Sequence, residues 1–170
     1  VINTLQMYRK DRLEFLKDSY HEAREKGYFY GAKLVRGAYM EKERDRAADK
    51  KYPDPIHATK ADSDKSYDDG IRFLMEHLDT VLVVAGRHNE ESARLLAEKV
   101  NEMNLDPKDD RVWFSQLYGM SDNLSFNLAK AGDNVVKYLP FGPVTETLPY
   151  LIRRAEENSS ASGQSGRELS

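Results

Sequence analysis

The chain contains no cysteine. Disulfide frameworks, cysteine-ligated zinc and thiol nucleophiles are therefore excluded, and a reducing compartment is permitted. Long apolar runs are missing as well, and no stretch approaches the ~20 residues of a membrane-spanning helix. A surplus of one charge is also absent. Lys and Arg number 26 against 29 Asp and Glu, the net charge is −3, and no basic block stands out. That pattern argues against nucleic acid as the main partner. His57 and His77 have no partners at a ligand-like spacing, so no metal is expected. No signal or transit segment is visible, and the opening VINTLQMYRKD reads as the inside of a larger protein.

What is present is alternation. Leu13, Leu16, Tyr20 and Ala23 share helical spacing within 7–26, and Gly27 follows as a stop. AKLVRGAY is a short apolar core, followed by a charged stretch whose Pro53 and Pro55 mark a loop. A second helical pattern over about 63–77 places Tyr67, Ile71, Leu74 and Leu78 in register. TVLVVAG is a continuous apolar run, as expected of a strand buried on both faces. The pattern then repeats: NEESARLLAEKVNEMN helical, RVWFSQLYG strand-like, MSDNLSFNLAKAG helical between Ser121 and Gly132, and NVVKYLPFG a strand. A final helix runs over about 145–158, with a stripe of Leu148, Leu151, Ile152 and Ala155. The tail over 159–170 is rich in Ser and Gly and is expected to be flexible. The reading is an α/β fold of parallel βα units. A doubly wound sheet is complete at this length, whereas a (β/α)8 barrel needs about 250 residues.

Both folds place chemistry at the C-terminal ends of strands. Here those ends carry Arg36-Gly37-Ala38-Tyr39, Gly86-Arg87-His88-Asn89, Gln116-Leu117-Tyr118-Gly119 and Tyr138-Leu139-Pro140-Phe141-Gly142. Polar and aromatic side chains beside glycine suit a flat ligand with a phosphate tail. Lys33 begins a strand that reads as buried, so it requires a partner or a ligand. Asp62 and Asp64 precede the second helix and read as capping acids. Arg153 and Arg154 are adjacent, and neighbouring helix residues point about 100° apart. Either both are solvated, with Arg153 paired to Glu157 at i, i+4, or something beside the helix requires two positive charges.

Together, KLVRGAY (33–39), HN (88–89), QLYGM (116–120) and YLPFGPVTETLPYLIRRAEEN (138–158) closely resemble proline dehydrogenase. The resemblance extends to LQMY (5–8) and covers nearly everything except the tail. It implies a distorted (β/α)8 barrel with FAD at the strand C-termini. The implied reaction oxidises L-proline to Δ1-pyrroline-5-carboxylate and passes electrons to a membrane quinone. By position, Gln6 matches a glutamine at the flavin ring, and Lys33 the basic residue beside flavin N5. Arg36, Gly37 and Ala38 match the segment along the FAD phosphates, with Thr59 and Lys60 near another FAD-contact segment. His88 matches a FAD-binding histidine, preceded here by Arg87 where the family usually has threonine or serine. Glu157 is also assigned to cofactor binding. Leu117 and Tyr138 match residues that pack on the proline ring, Tyr150 a tyrosine near the entrance, and Arg153 and Arg154 the pair that holds the carboxylate. Lys33, Arg153 and Arg154 form the expected catalytic set.

The resemblance further implies that residues 1–158 are the C-terminal portion of the barrel, without its earlier strands. The expectation is therefore an incomplete enzyme that associates with a complementary half or with itself, and peripherally with a membrane. The location implied is the matrix side of the mitochondrial inner membrane in a eukaryote, or the cytoplasmic membrane otherwise. The alternative is a non-catalytic module that keeps the flavin and proline contacts.

Overall fold

The computed structural model describes residues 1–37, 39–86 and 90–160, with side chains except at 90, 91 and 153–160. Strands and helices alternate: β1 (Ile2–Gln6), α1 (Arg12–Lys26), β2 (Tyr30–Val35), α2 (Met40–Lys50), α3 (Lys60–Glu76), β3 (Val81–Gly86), α4 (Glu90–Glu102), β4 (Val112–Leu117), α5 (Asp122–Ala131), β5 (Val135–Tyr138) and α6 (Val144–Ser160). The five strands form one parallel sheet in the order β1-β2-β3-β4-β5.

That order decides between the two architectures left open by the sequence. A doubly wound sheet reverses its strand order partway, which puts helices on both faces. Here the order never reverses. Right-handed crossovers that all step the same way put their helices on one face only. The sheet is therefore a run of barrel-type βα units, with one face covered and the other bare.

Register sorts the residues between these faces. The row Leu5–Leu34–Ala85–Phe114–Val135 points toward the helices. Its first four members are buried and join Leu16, Tyr20, Tyr67, Ile71, Leu74 and Leu96 in one core. Leu16 and Tyr20 lie four apart on α1, and Tyr67, Ile71 and Leu74 share one stripe of α3, the spacing that turns an apolar helix face onto a sheet. The next row, Gln6–Val35–Gly86–Ser115–Val136, points to the bare face, as does Thr4–Lys33–Val84–Trp113.

Three boundaries differ from the sequence reading. The first helix begins at Arg12 rather than 7, because 2–6 form β1 and Met7 and Tyr8 are buried behind it. Only Leu5 of β1 is buried, so its alternation is too weak a signal. The charged stretch 40–50 is helix α2, which buries only Ala47 and so carries no apolar stripe to announce it. Helix α3 starts at Lys60, three residues early, behind a capping box. There Thr59 Oγ1 accepts from the Asp62 amide at 3.1 Å, and the Thr59 amide donates to the Asp62 carboxylate at 3.2 Å. The proline loop then returns to the end of β1: the Lys10 amide donates to Pro55 at 2.9 Å and the His57 amide to Tyr8 at 2.9 Å.

Candidate active site on the bare face of the sheet

At the C-terminal ends of the strands the bare face becomes polar. Lys33 reaches up from the middle of β2, and its Nζ donates to Ser115 Oγ of β4 at 3.1 Å. The same ammonium stands 5.8 Å from the centre of the Tyr138 ring. Among the described residues Lys33 has no carboxylate partner. Burial therefore pushes its pKa below the usual lysine range.

Beside it, the end of β1 carries Gln6, whose Oε1 is buried with no hydrogen-bond partner among the described residues. A buried amide oxygen left unpaired is unfavourable by roughly 1–3 kcal/mol, so a ligand donor is the natural complement. Gly37 sits against the same group with φ +119. A Cβ there would run into the Tyr8 ring and stand 2.8 Å from Gln6 Oε1. Only glycine fits this turn, and it brings bare backbone up to the Gln6 amide.

Arg36, the residue before it, forms an ion pair with Asp64 of α3. Asp64 also accepts from Lys60 at 2.9 Å. Arg36, Lys60 and the Thr59 cap therefore meet at the N-terminus of α3, next to the Gly37 turn. Arg36 Nε is buried without a hydrogen bond. Of the two acids read as caps, Asp62 caps and Asp64 instead bridges two cations.

At the other end of the sheet, Leu117 and Tyr138 are register partners. Leu117 is buried, while Tyr138 is half exposed and meets Tyr150 of α6 edge-on at 6.0 Å. Arg153, Arg154 and Glu157 belong to α6, and their side chains lie outside the described residues. Ala38 and His88 also lie outside the described residues. Of the residues that the sequence reading singled out, Gln6, Lys33, Leu117 and Tyr138 lie in the bare-face rows, Gly37 sits against Gln6, and Tyr150 meets Tyr138. It missed Ser115, and it named Gly86 as a strand-end glycine without linking it to Lys33. Ser115 was within reach, because it stands two residues before Leu117 and so shares its face.

No group of metal-ligating side chains occurs among the described residues. The donor set is instead a cation, an orphan amide and a glycine cradle on a hydrophobic floor of Val35, Val84 and Leu117. It fits a flat, hydrogen-bonding ring system with an anionic tail.

The covered outer face, the bare inner face and the strand-end site define the class: a (β/α)-barrel protein with its site at the C-terminal mouth. Within that class the chain belongs to the proline dehydrogenase family, whose model, described as Proline dehydrogenase, matches residues 1–167. It is 43% identical over 171 residues to the mitochondrial proline dehydrogenase 1 of Homo sapiens, covering 99% of this chain and 28% of that protein. It is 44% identical over 161 residues to the mitochondrial proline dehydrogenase 2 of Arabidopsis thaliana, covering 93% and 34%. Among solved structures, proline utilization A of Bdellovibrio bacteriovorus inactivated by N-propargylglycine superposes with TM-score 0.85 at 26% identity. That match covers 91% of this chain and 16% of the other. The chain thus spans roughly a third or less of the length of these relatives.

Proposed function

We propose that this chain supplies the flavin- and proline-binding part of a proline dehydrogenase. The reaction would oxidise L-proline to Δ1-pyrroline-5-carboxylate, with the electrons leaving to a quinone. The observation that carries the reading is Lys33: a half-buried ammonium at the strand ends, held, among the described residues, by one neutral hydroxyl and no carboxylate. Such a charge is tolerated where a bound group complements it.

FAD, when bound, supplies the hydride acceptor. Gln6 and the Gly37 turn would hold its ring system, and Arg36, with Lys60 nearby, would face its phosphates. Lys33 would place positive charge where electron density accumulates on reduction. Leu117, Tyr138 and Tyr150 would enclose the proline ring. Arg153 and Arg154 would grip the carboxylate, because a guanidinium fork matches two oxygens and two long arms can converge beside one helix. With the acid end clamped, the C5–H bond is presented to the flavin, and positioning of this kind supplies much of the barrier reduction when a cofactor carries the chemistry.

The sheet ends in open edges at β1 and β5, so the site requires further strands or a second chain to close it. Peripheral membrane contact fits a quinone acceptor, and no described helix is long and apolar enough to cross a membrane. The matrix side of the mitochondrial inner membrane is the proposed location in a eukaryotic host, in line with the names of the human and plant relatives.

The test is proline-dependent dye reduction by the flavin-loaded, assembled protein. Turnover with a yellow chromophore is expected, and a monodisperse monomer of this chain should show little. A protein that binds flavin and proline without turnover would be a binding module instead. Rapid turnover by the monomer would refute the assembly requirement.

A further inference from the structure

The Lys33–Ser115 hydrogen bond joins groups that are 82 positions apart in sequence and, on the sheet, two strands and two register positions apart. Lys33 lies in the row with Val84 and Trp113, whereas Ser115 lies in the row above, with Val35, Gly86 and Val136. The lysine stem therefore climbs toward the strand ends to reach the hydroxyl. Its path crosses Gly86, where a Cβ would stand 3.0 Å from Lys33 Cε and 2.7 Å from Val35 Cγ1. A glycine here leaves a trough for the stem. Ser115 is only 4% exposed, so its hydroxyl is fixed by the sheet rather than free in solvent. Thr4 and Gln6 also bring side-chain oxygens to this face and Tyr138 a ring, but among the described residues the oxygen within hydrogen-bond distance of the Lys33 ammonium is Ser115 Oγ, while Val35, Val84 and Leu117 are apolar. A lysine stem has four rotatable bonds. Without the Ser115 hydroxyl, the ammonium would be free to leave this position for water or another oxygen.

We propose that Ser115 is a positioning residue for Lys33: its hydroxyl, with Gly86 as the trough, holds the ammonium at the flavin edge. This rests on the flavin reading of Lys33. A serine that accepts from lysine keeps its own hydrogen, so the pair presents two adjacent donors, N–H and O–H, to whatever occupies the mouth. The hydrogen bond favours the charged form, against the desolvation that disfavours it.

The test uses Ser115→Ala, with Ser115→Thr as the hydroxyl-retaining control. In the unloaded chain, NMR of the lysine Cε and Nζ nuclei follows the titration of Lys33. Ser115→Ala should move its midpoint lower still, and Ser115→Thr should return it toward wild type. In the flavin-loaded protein, Ser115→Ala should make the flavin potential more negative and lower kcat several-fold with KM for proline unchanged. Ser115→Thr should restore both. Lys33→Met should also make the potential more negative, and adding Ser115→Ala to it should change nothing further. An unmoved Lys33 titration in Ser115→Ala overturns the proposal. So does an unmoved potential in Ser115→Ala when Lys33→Met shifts it. If Lys33→Met leaves the potential unchanged, the flavin reading of Lys33 itself fails.

Discussion

The two faces of the sheet are built from alternate residues of the same strands, yet they follow opposite rules. On the outer face, Leu5, Leu34, Ala85 and Phe114 are buried under helices in an apolar core, and the buried Gln116 there accepts from Ser125 of α5 at 3.1 Å. On the inner face the same strands carry Gln6, Lys33, Gly86 and Ser115. There, among the described residues, an amide oxygen lacks a partner and an ammonium has a single neutral one. The outer face contributes stability that is complete within this chain. The inner face holds unfavourable groups in place for something to be bound, so stability and function separate along the strand with a period of two residues.

The largest effect should come from the outer face. Leu34→Ala removes a side chain with no solvent exposure, wedged between the β1 and β3 neighbours and α3. It should destabilise by roughly 2–5 kcal/mol, the range for large-to-small changes in a core. Denaturant unfolding of the full chain measures this. A loss under about 1 kcal/mol would mean that the helices do not seal the outer face, and the contrast between the faces would break.

Next in size is an effect on binding alone. Arg153→Met and Arg154→Met should leave folding nearly untouched, because a clamp on a substrate carboxylate acts on the bound ligand rather than on the fold. In the assembled enzyme each should weaken proline capture by roughly 1.5–3 kcal/mol, the scale of a hydrogen bond to a charged group. That is about tenfold or more in kcat/KM. If both arginines grip one carboxylate, the double mutant should lose less than the sum. Lysine should rescue poorly, being a point charge without the fork. Steady-state kinetics with proline and a carboxylate inhibitor check this. Wild-type kcat/KM in both single mutants would return the pair to the solvated surface.

The same contrast explains what was legible in the sequence. Outer-face residues announce themselves through periodicity, because burial under a helix requires an apolar residue at every second strand position and every third or fourth helix position. Ile71, Leu74, Phe114 and the helix stops at Gly27 and Gly132 were readable for that reason. Helix α2 was not, since it lies over the loop with one buried alanine and no stripe. β1 was not, since it is an edge strand with one buried residue. Inner-face residues obey no periodic rule. Lys33 stood out because a lysine in an apolar run conflicts with burial, and the family motifs pointed to its neighbours. Ser115 conflicts with nothing locally. Its role depends on a partner 82 residues away and on a glycine in the strand between, which only the register reveals.

The smallest effect is a pH dependence that tests whether the inner face is unfavourable before any ligand arrives. Lys33 has a folded pKa below its unfolded value, with burial as the cause. Below the folded pKa both states hold the proton, and the desolvation of the ammonium counts fully against folding. Between the folded pKa and the unfolded value of about 10.4, the folded chain has released its proton while the unfolded chain keeps it. The unfolded state then binds more protons, so this group's contribution to stability rises with pH across that alkaline window. This is opposite in sign to a lysine that gains a carboxylate partner on folding. Lys33→Met carries no such dependence. The gap in unfolding free energy between Lys33→Met and wild type should therefore favour the mutant most near neutral pH and shrink as pH rises toward the unfolded value. Urea unfolding of both proteins at matched pH isolates the gap, since titrations elsewhere cancel where they do not couple to Lys33. A gap that stays constant with pH would mean the ammonium is as well solvated in the folded chain as in the unfolded one. Lys33 would then carry no cost before ligand arrives, and the unpartnered Gln6 amide would be left to mark the inner face as a binding surface.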